Sequence, residues 1–248
     1  MESKVSVRAD EDTSNHDHPV FATVYDTCMF GFEATVLPSY RKHLSRGLSG
    51  RVLDLGSGTG AMFSYYRDAI EEGADVELRG IEPDSYMRKR AERVATELEL
   101  DIELHDAPAE GLPFPDDSFD VVVAALVFCT VDDPPTALDE IARVLVPGGE
   151  LRFIEHVADE GWRRHVQTVV TSVWKRVLFS GCHLDRDTPA LFEAHDGFEV
   201  VELDRIHELV TPLRVMARGT LRRRSATDED PGNERPRRSD PRDGALGQ

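Results

Sequence analysis

The chain has 248 residues, 40% of them hydrophobic, which is enough to bury one α/β core. Its 47 acidic against 29 basic residues leave a formal net charge of −18, so nucleic acid is excluded as an expected partner: phosphates would be repelled over most of the surface. No apolar run reaches the ~18 residues of a membrane span, the polar start holds no apolar signal segment, and Cys28, Cys129 and Cys182 form no CxxC pair; a cytoplasmic protein without a metal knuckle or disulfide framework is expected.

Residues 1–17 are acidic and polar and are expected to form a disordered tail. From His18 to Leu48, apolar residues recur at four-residue spacing (Phe32–Val36, Val36–Tyr40–Leu44), which predicts one or two amphipathic helices that serve as a lid or merely cap the sheet. Arg51 to Leu55 is a short strand, followed by Gly56-Ser57-Gly58-Thr59-Gly60 and a helix over Ala61–Ile70, with Thr59 as its expected N-cap. Val76–Ile81 is the second strand, Ser85–Leu98 a charged helix and Ile102–Leu104 the third strand. Gly111–Ser118 is a proline-rich loop. Phe119–Leu126 is nearly continuous in apolar residues, as a central strand covered on both faces requires. Thr136–Leu145 is a helix ended by Pro147-Gly148-Gly149, and Glu150–Ile154 is the fifth strand.

Beyond it, Trp162, Val166, Val169, Val170, Val173 and Trp174 mark an amphipathic helix over Gly161–Phe179. Flanking arginines and lysine make peripheral membrane contact an alternative to packing on the sheet. Thr188–His195 is a short helix after an Asp187 cap. Phe198–Ile206 and Leu209–Ala217 are two strands whose short link makes them antiparallel. Residues 219–248 read as a disordered charged tail. Lysine occurs only at Lys4, Lys42, Lys89 and Lys175. Acid surplus with few lysines resembles proteins of salt-loving organisms, in which salt screens the self-repulsion. The alternation of strands and helices predicts an α/β, Rossmann-like, seven-stranded mixed sheet with helices on both faces and an antiparallel last pair.

The glycine loop satisfies a loose G-x-G-x-x-[GA] pattern, which alone fits any nucleotide cradle. Asp54 two residues before it, and Glu82 at the end of the second strand, where a carboxylate can accept both ribose hydroxyls, narrow the reading. Val52-Leu53-Asp54-Leu55-Gly56-Ser57-Gly58-Thr59-Gly60, Gly111-Leu112-Pro113-Phe114-Pro115-Asp116-Asp117-Ser118-Phe119-Asp120 and Arg143-Val144-Leu145-Val146-Pro147-Gly148-Gly149 resemble class I S-adenosylmethionine-dependent methyltransferases. The nearest group is the ubiquinone/menaquinone-biosynthesis or methyltransferase type 11 one. Glu155-His156-Val157 and Ser180-Gly181-Cys182-His183-Leu184 resemble its thiol-methylating branch. The likeness covers a domain over residues 18–218, with 18–48 as the N-terminal helical lid.

The resemblance implies S-adenosyl-L-methionine as cofactor. Gly56, Ser57, Gly58 and Gly60 would hold its methionine part through the main chain, and Asp54 would support that loop and the amino group. Glu82 would bind the ribose diol, Pro83 and Met87 would flank the adenine, Asp106 and the Ala107 backbone would meet the adenine amino group, and Leu126 would lie below the sulfonium. The acceptor is expected to be a small, apolar thiol, quinol or phenol, or phospholipid amine, with no obligate protein partner. His156 is the candidate base, against the alternative of a structural histidine at a strand end. His18, Tyr25 and His183 are candidates for the acceptor pocket. The rival readings are a nicotinamide-dependent oxidoreductase, for which a Tyr-x-x-x-Lys group is missing, and a non-catalytic cofactor-binding or membrane-surface module.

Overall fold

Side chains alternate across a strand, so a sheet whose strands are apolar at every position must be covered on both faces. The structure, a computed structural model, describes residues 37–159, 165, 167, 168, 183, 185–207 and 215–225. In chain order the elements are α1 (Leu37–Ser45), β1 (Gly50–Leu55), α2 (Phe63–Glu71), β2 (Val76–Ile81), α3 (Ser85–Glu97), β3 (Ile102–His105), β4 (Phe119–Ala125), α4 (Pro134–Val144), β5 (Leu145–Val157), α5 (Thr188–Ala194), β6 (Phe198–His207) and β7 (Val215–Arg223). The strands form one seven-stranded sheet in the order β3-β2-β1-β4-β5-β7-β6. The first five are parallel and β6 and β7 pair antiparallel, as the sequence predicts; β7 lies between β5 and β6 and also pairs antiparallel with β5. The strand order reverses at β1, which lies between β2 and β4; ligands bind at such a switch point in open α/β sheets.

The register separates two cores. Val52 pairs with Val121 and Asp54 with Val123, so these side chains share one face. That face packs against Leu37 and Leu44 of α1, Phe63 and Tyr66 of α2, and Ala91 and Ala95 of α3. The other face carries Leu53, Leu55, Val122 and Ala124 under Ala137, Leu138, Ile141 and Val144 of α4 and Phe192 of α5. Phe192 stands edge-on to Phe128 and Phe153, with ring centroids 4.9 and 4.6 Å away.

Carboxylates set several helix starts. Asp84 accepts from Tyr86 N and Met87 N at 2.9 and 3.0 Å and caps α3. Asp133 and Asp187 cap α4 and α5, each helix with proline in its first turn; such caps are worth about 1 kcal/mol apiece. Thr59 is not a cap. Residues 56–62 are taken up by the glycine turn, α2 starts at Phe63, and Met62 at its N-cap makes no side-chain capping bond. Arg143 explains the proline-rich loop: its guanidinium donates to Phe114 O and Leu112 O at 2.8 and 3.0 Å and meets Asp116 and Glu140. Glu140 in turn accepts from Leu112 N.

Two sequence expectations change. Pro147-Gly148-Gly149 does not simply stop a helix. The strand begins at Leu145, and the three residues fill an irregularity where the partner of Phe119 is Leu145 but that of Val121 is Glu150. The last strand runs to Arg223, past both the expected Ala217 and the boundary at 218, so residues 219–223 belong to the sheet rather than to a disordered tail. Ala217, Gly219 and Leu221 are buried while Arg218, Thr220 and Arg222 alternate with them. Arg218 pairs across the ladder with Asp204 at 2.9 Å. The expected acidic tail, residues 18–36 of the lid, most of the 161–179 helix (only His165, Gln167 and Thr168 are described, as helical), and residues 226–248 lie outside the described residues.

Candidate active site

The chain leaves β1 through Gly56 and Gly58, both left-handed at φ +64° and +56°. A Cβ at Gly56 would stand 2.9 Å from Val127 Cγ2, so this turn packs directly on the segment after β4. At Gly58 a Cβ would meet only Gly56 O at 4.0 Å, and the backbone conformation alone demands glycine. The turn aims Gly58 N–H at Glu82, which ends the neighbouring strand. Glu82 Oε2 accepts from Gly58 N at 2.8 Å and Oε1 from Asp84 N at 2.9 Å. Glu82 is buried, and burial pushes its carboxyl up to about 7; the two backbone hydrogen bonds and Arg88 oppose that rise, while the Asp84 charge adds to it.

Asp54 lies one strand across. Tyr66 Oη donates to its Oδ1 at 2.6 Å. Its Oδ2 is buried and has no hydrogen-bond partner. Burial raises this carboxyl above its ordinary value, against the Tyr66 hydrogen bond and the positive charge of Arg41. Arg41 reaches the same place from α1 and is itself only 6% exposed. Arg41 thus lines a cavity of about 330 Å³ at the carboxyl ends of β1, β2 and β4 together with five acidic residues, Asp54, Glu82, Asp84, Glu110 and Asp132. A second cleft of about 500 Å³, between α3 and β3, has acidic walls (Glu92, Glu99, Asp101) and lies away from those strand ends.

The cavity brings together Asp54, Gly56, Ser57, Gly58, Glu82, Pro83, Met87 and Leu126 from the sequence expectations. Its far wall is apolar: Met62, Ala125, Leu126 and Val127. The remaining candidates stand apart. Gly60, at φ +88°, packs on Phe63 rather than on the cavity. The Asp106 carboxylate is two-thirds exposed and bound by Arg88 Nη2 at 2.8 Å; Pro108, Ala109 and Glu110 form the wall on that side, and Ala107 is buried in the core. His156 is buried near the end of β5, opposite Met216, on the sheet face of Ile154 and outside the lining. His183 N donates to Cys129 O at 2.6 Å, beyond the cavity. His18 and Tyr25 lie outside the described residues.

Sequence reasoning missed Arg41 and Glu110. Arg41 left a signal: Leu37, Arg41, Leu44 and Ser45 form the buried stripe of α1, so a charge sits in an apolar helical face. Glu110 immediately precedes the proline-rich loop and accepts from Asp132 N and Asp133 N at 2.9 and 3.0 Å, joining two loops that line the cavity.

Residues 53–153 match the family described as "Methyltransferase domain". The chain is 35% identical over 178 residues to the human thiol S-methyltransferase TMT1A, across 67% of this chain and 70% of that protein. It is 39% identical over 149 residues to the human thiol S-methyltransferase TMT1B, across 57% of this chain and 58% of that one. The chain therefore spans less than two thirds of TMT1B's length. A solved structure of a putative methyltransferase from Bacillus halodurans shares the fold at a TM-score of 0.62 and 16% identity, over 75% of this chain and 98% of that one. Sequence relatives, family match and fold point to one family. The chain belongs to the class I S-adenosylmethionine-dependent methyltransferases.

Proposed function

We propose that the chain methylates a small apolar thiol, using the cavity at the ends of β1, β2 and β4 to hold S-adenosylmethionine. The observation that carries the cofactor placement is Asp54, which lines the cavity together with Arg41 and Glu82 and whose buried Oδ2 has no hydrogen-bond partner. A buried acceptor without a donor costs about 1–3 kcal/mol, and an α-ammonium group supplies that donor. Arg41 suits the α-carboxylate of the same head group. Glu82 suits the ribose diol, and Gly58 N–H is released to the ligand when Glu82 turns to it. Met87 and Pro83 give an apolar seat for the base. Asp106 contributes from behind Arg88 rather than from the cavity wall.

The cofactor supplies an already activated sulfonium methyl group, so the protein's part is alignment and exclusion of water. The wall of Met62, Ala125, Leu126 and Val127 serves the second purpose. A thiol, with a pKa of about 8.5 for free cysteine, ionises more readily than a phenol or carbon acid and depends less on a dedicated base than those acceptors do. An apolar wall and thiol S-methyltransferase relatives both support the thiol. His156, buried outside the lining, then shapes the acceptor side of β5. The test is transfer of labelled methyl from S-adenosylmethionine to alkyl thiols, quinols and phenols, and phospholipid amines in parallel. Labelled thioether is expected; label appearing only in a phenol, quinol or amine contradicts the thiol assignment.

A further inference from the structure

The segment after β4 is a single helical turn, with Thr130 N and Val131 N donating to Val127 O at 2.8 and 3.2 Å. It enters the cavity wall through Leu126, Val127, Thr130 and Val131. An isolated turn leaves its first N–H groups and last carbonyls without partners. Here both ends are met by charge from other segments. Val127 N and Phe128 N donate to Glu155 Oε1 at 2.7 and 2.9 Å, and Cys129 N donates to Glu155 Oε2 at 3.2 Å. At the other end Arg186 Nη1 donates to Phe128 O at 2.6 Å and to Val131 O at 2.5 Å. An acid at the N–H end and a base at the carbonyl end complement the turn's dipole.

Glu155 is fully buried near the end of β5, a position otherwise suited to an apolar residue. Leu126, which opens the turn, is left-handed at φ +64°. That conformation costs about 1–2 kcal/mol for a residue with a Cβ, so something must hold it. Leu126 N is tied to Ile154 O at 2.8 Å, and the next three amides are tied to Glu155. Arg186 is itself fixed to the end of β5, since Ala158 N donates to Arg186 O at 2.8 Å.

We propose that Glu155 and Arg186 are positioning residues for methyl transfer: a two-ended clip that holds the Leu126–Val131 turn as the wall against which the cofactor's sulfonium end is aligned. The proposal rests on the cavity's being the S-adenosylmethionine site.

The test combines amide hydrogen exchange with calorimetric titration of S-adenosylhomocysteine on the full chain carrying Glu155→Gln, Arg186→Gln or Arg186→Lys. Glu155→Gln keeps an acceptor for Val127 and Phe128 but sets an amide N–H against Cys129 N–H. It is expected to speed exchange at residues 126–131 alone and to weaken binding about tenfold, the size of one charge-assisted hydrogen bond. Arg186→Gln is expected to weaken binding by a smaller factor, and Arg186→Lys to recover most of it. Faster exchange at 126–131 with unchanged affinity overturns the proposal, and so does an affinity loss that comes only with faster exchange throughout β1 to β5. If Glu155→Gln does not fold, the two Arg186 variants decide by the same criteria. Wild-type protein that fails to bind S-adenosylhomocysteine overturns the cofactor site itself, whereas binding that no variant alters overturns the clip alone.

Discussion

The two halves of the sheet are held together by different means. In β1 to β4 the site is built from short-range elements: the glycine turn follows β1 directly, Glu82 follows β2 directly, and Gly58 N meets Glu82 at 2.8 Å. In β5 to β7 the contacts that matter join residues farther apart in the chain than Gly58 and Glu82 are: Phe153 with Phe192 and Arg186 with Phe128. On the proposed reading the first half holds the cofactor, while the second half braces the wall opposite and adds Phe153, Phe192 and Leu221 to the core. Stability and cofactor affinity should therefore separate when each half is damaged.

The largest expected effect lies in the second half. Phe192→Ala removes an aromatic ring packed against Phe128 and Phe153 and should destabilise the fold by about 3–5 kcal/mol in a denaturant titration. Phe128 belongs to the turn that walls the cavity, so cofactor affinity per folded molecule should fall as well, but by much less than stability; a loss of affinity equal to the loss of stability would break the division. The complementary change is Asp54→Asn. The amide still accepts from Tyr66 but loses its charge toward the cofactor's ammonium, so affinity should fall by about 1.5–3 kcal/mol while the melting temperature moves little. Unchanged affinity in calorimetry would remove Asp54 from the amino-group role.

The ionisation of Glu82 sharpens the same division. Its carboxyl ordinarily titrates near 4.5 and is raised to about 7 in the fold. A carboxyl raised by folding is protonated more readily in the native state than in the unfolded one. Its contribution to stability is therefore present at low pH and is withdrawn as pH rises from about 4.5 to about 7. Accepting two ribose hydroxyls needs the ionised form, so cofactor affinity should run the other way and weaken up to about tenfold per pH unit below 7. Glu82→Gln should flatten that dependence; a slope that survives the substitution would place the titrating group elsewhere.

The smallest expected effect is at His156. His156→Gln should leave thiol methylation within about threefold of wild type, with the alkaline rise following the thiol's own ionisation. A loss of about a hundredfold or more, together with loss of a limb near neutral pH, would make His156 a base and shift the acceptor toward a phenol or carbon.

How much of this was legible follows the same line. The glycine turn, Asp54, Glu82 and the alternation of strands and helices declare themselves because each depends on residues close in sequence. Asp106 reads as a site residue from its place after β3, but Arg88, one helix away, draws its carboxylate off the cavity. Arg41 hides because an arginine in a buried stripe breaks the apolar pattern by which helices are recognised. Glu155 and Arg186 hide because their partners, the amides and carbonyls of residues 127–131, carry no side-chain signature. The last strand hides because Arg218, Arg222 and Arg223 resemble a charged tail. The alternation of Ala217, Gly219 and Leu221 beneath them has meaning only beside β5.

The central claim is that the carboxylate ending β2 holds the ribose of the methyl donor. Calorimetric titration of S-adenosylmethionine into wild-type and Glu82→Ala protein at pH 8 tests it most directly. Loss of two charge-assisted hydrogen bonds, about 1.5–3 kcal/mol each, should weaken binding by about 3–6 kcal/mol with the fold intact. Equal affinity in the two proteins would contradict the claim.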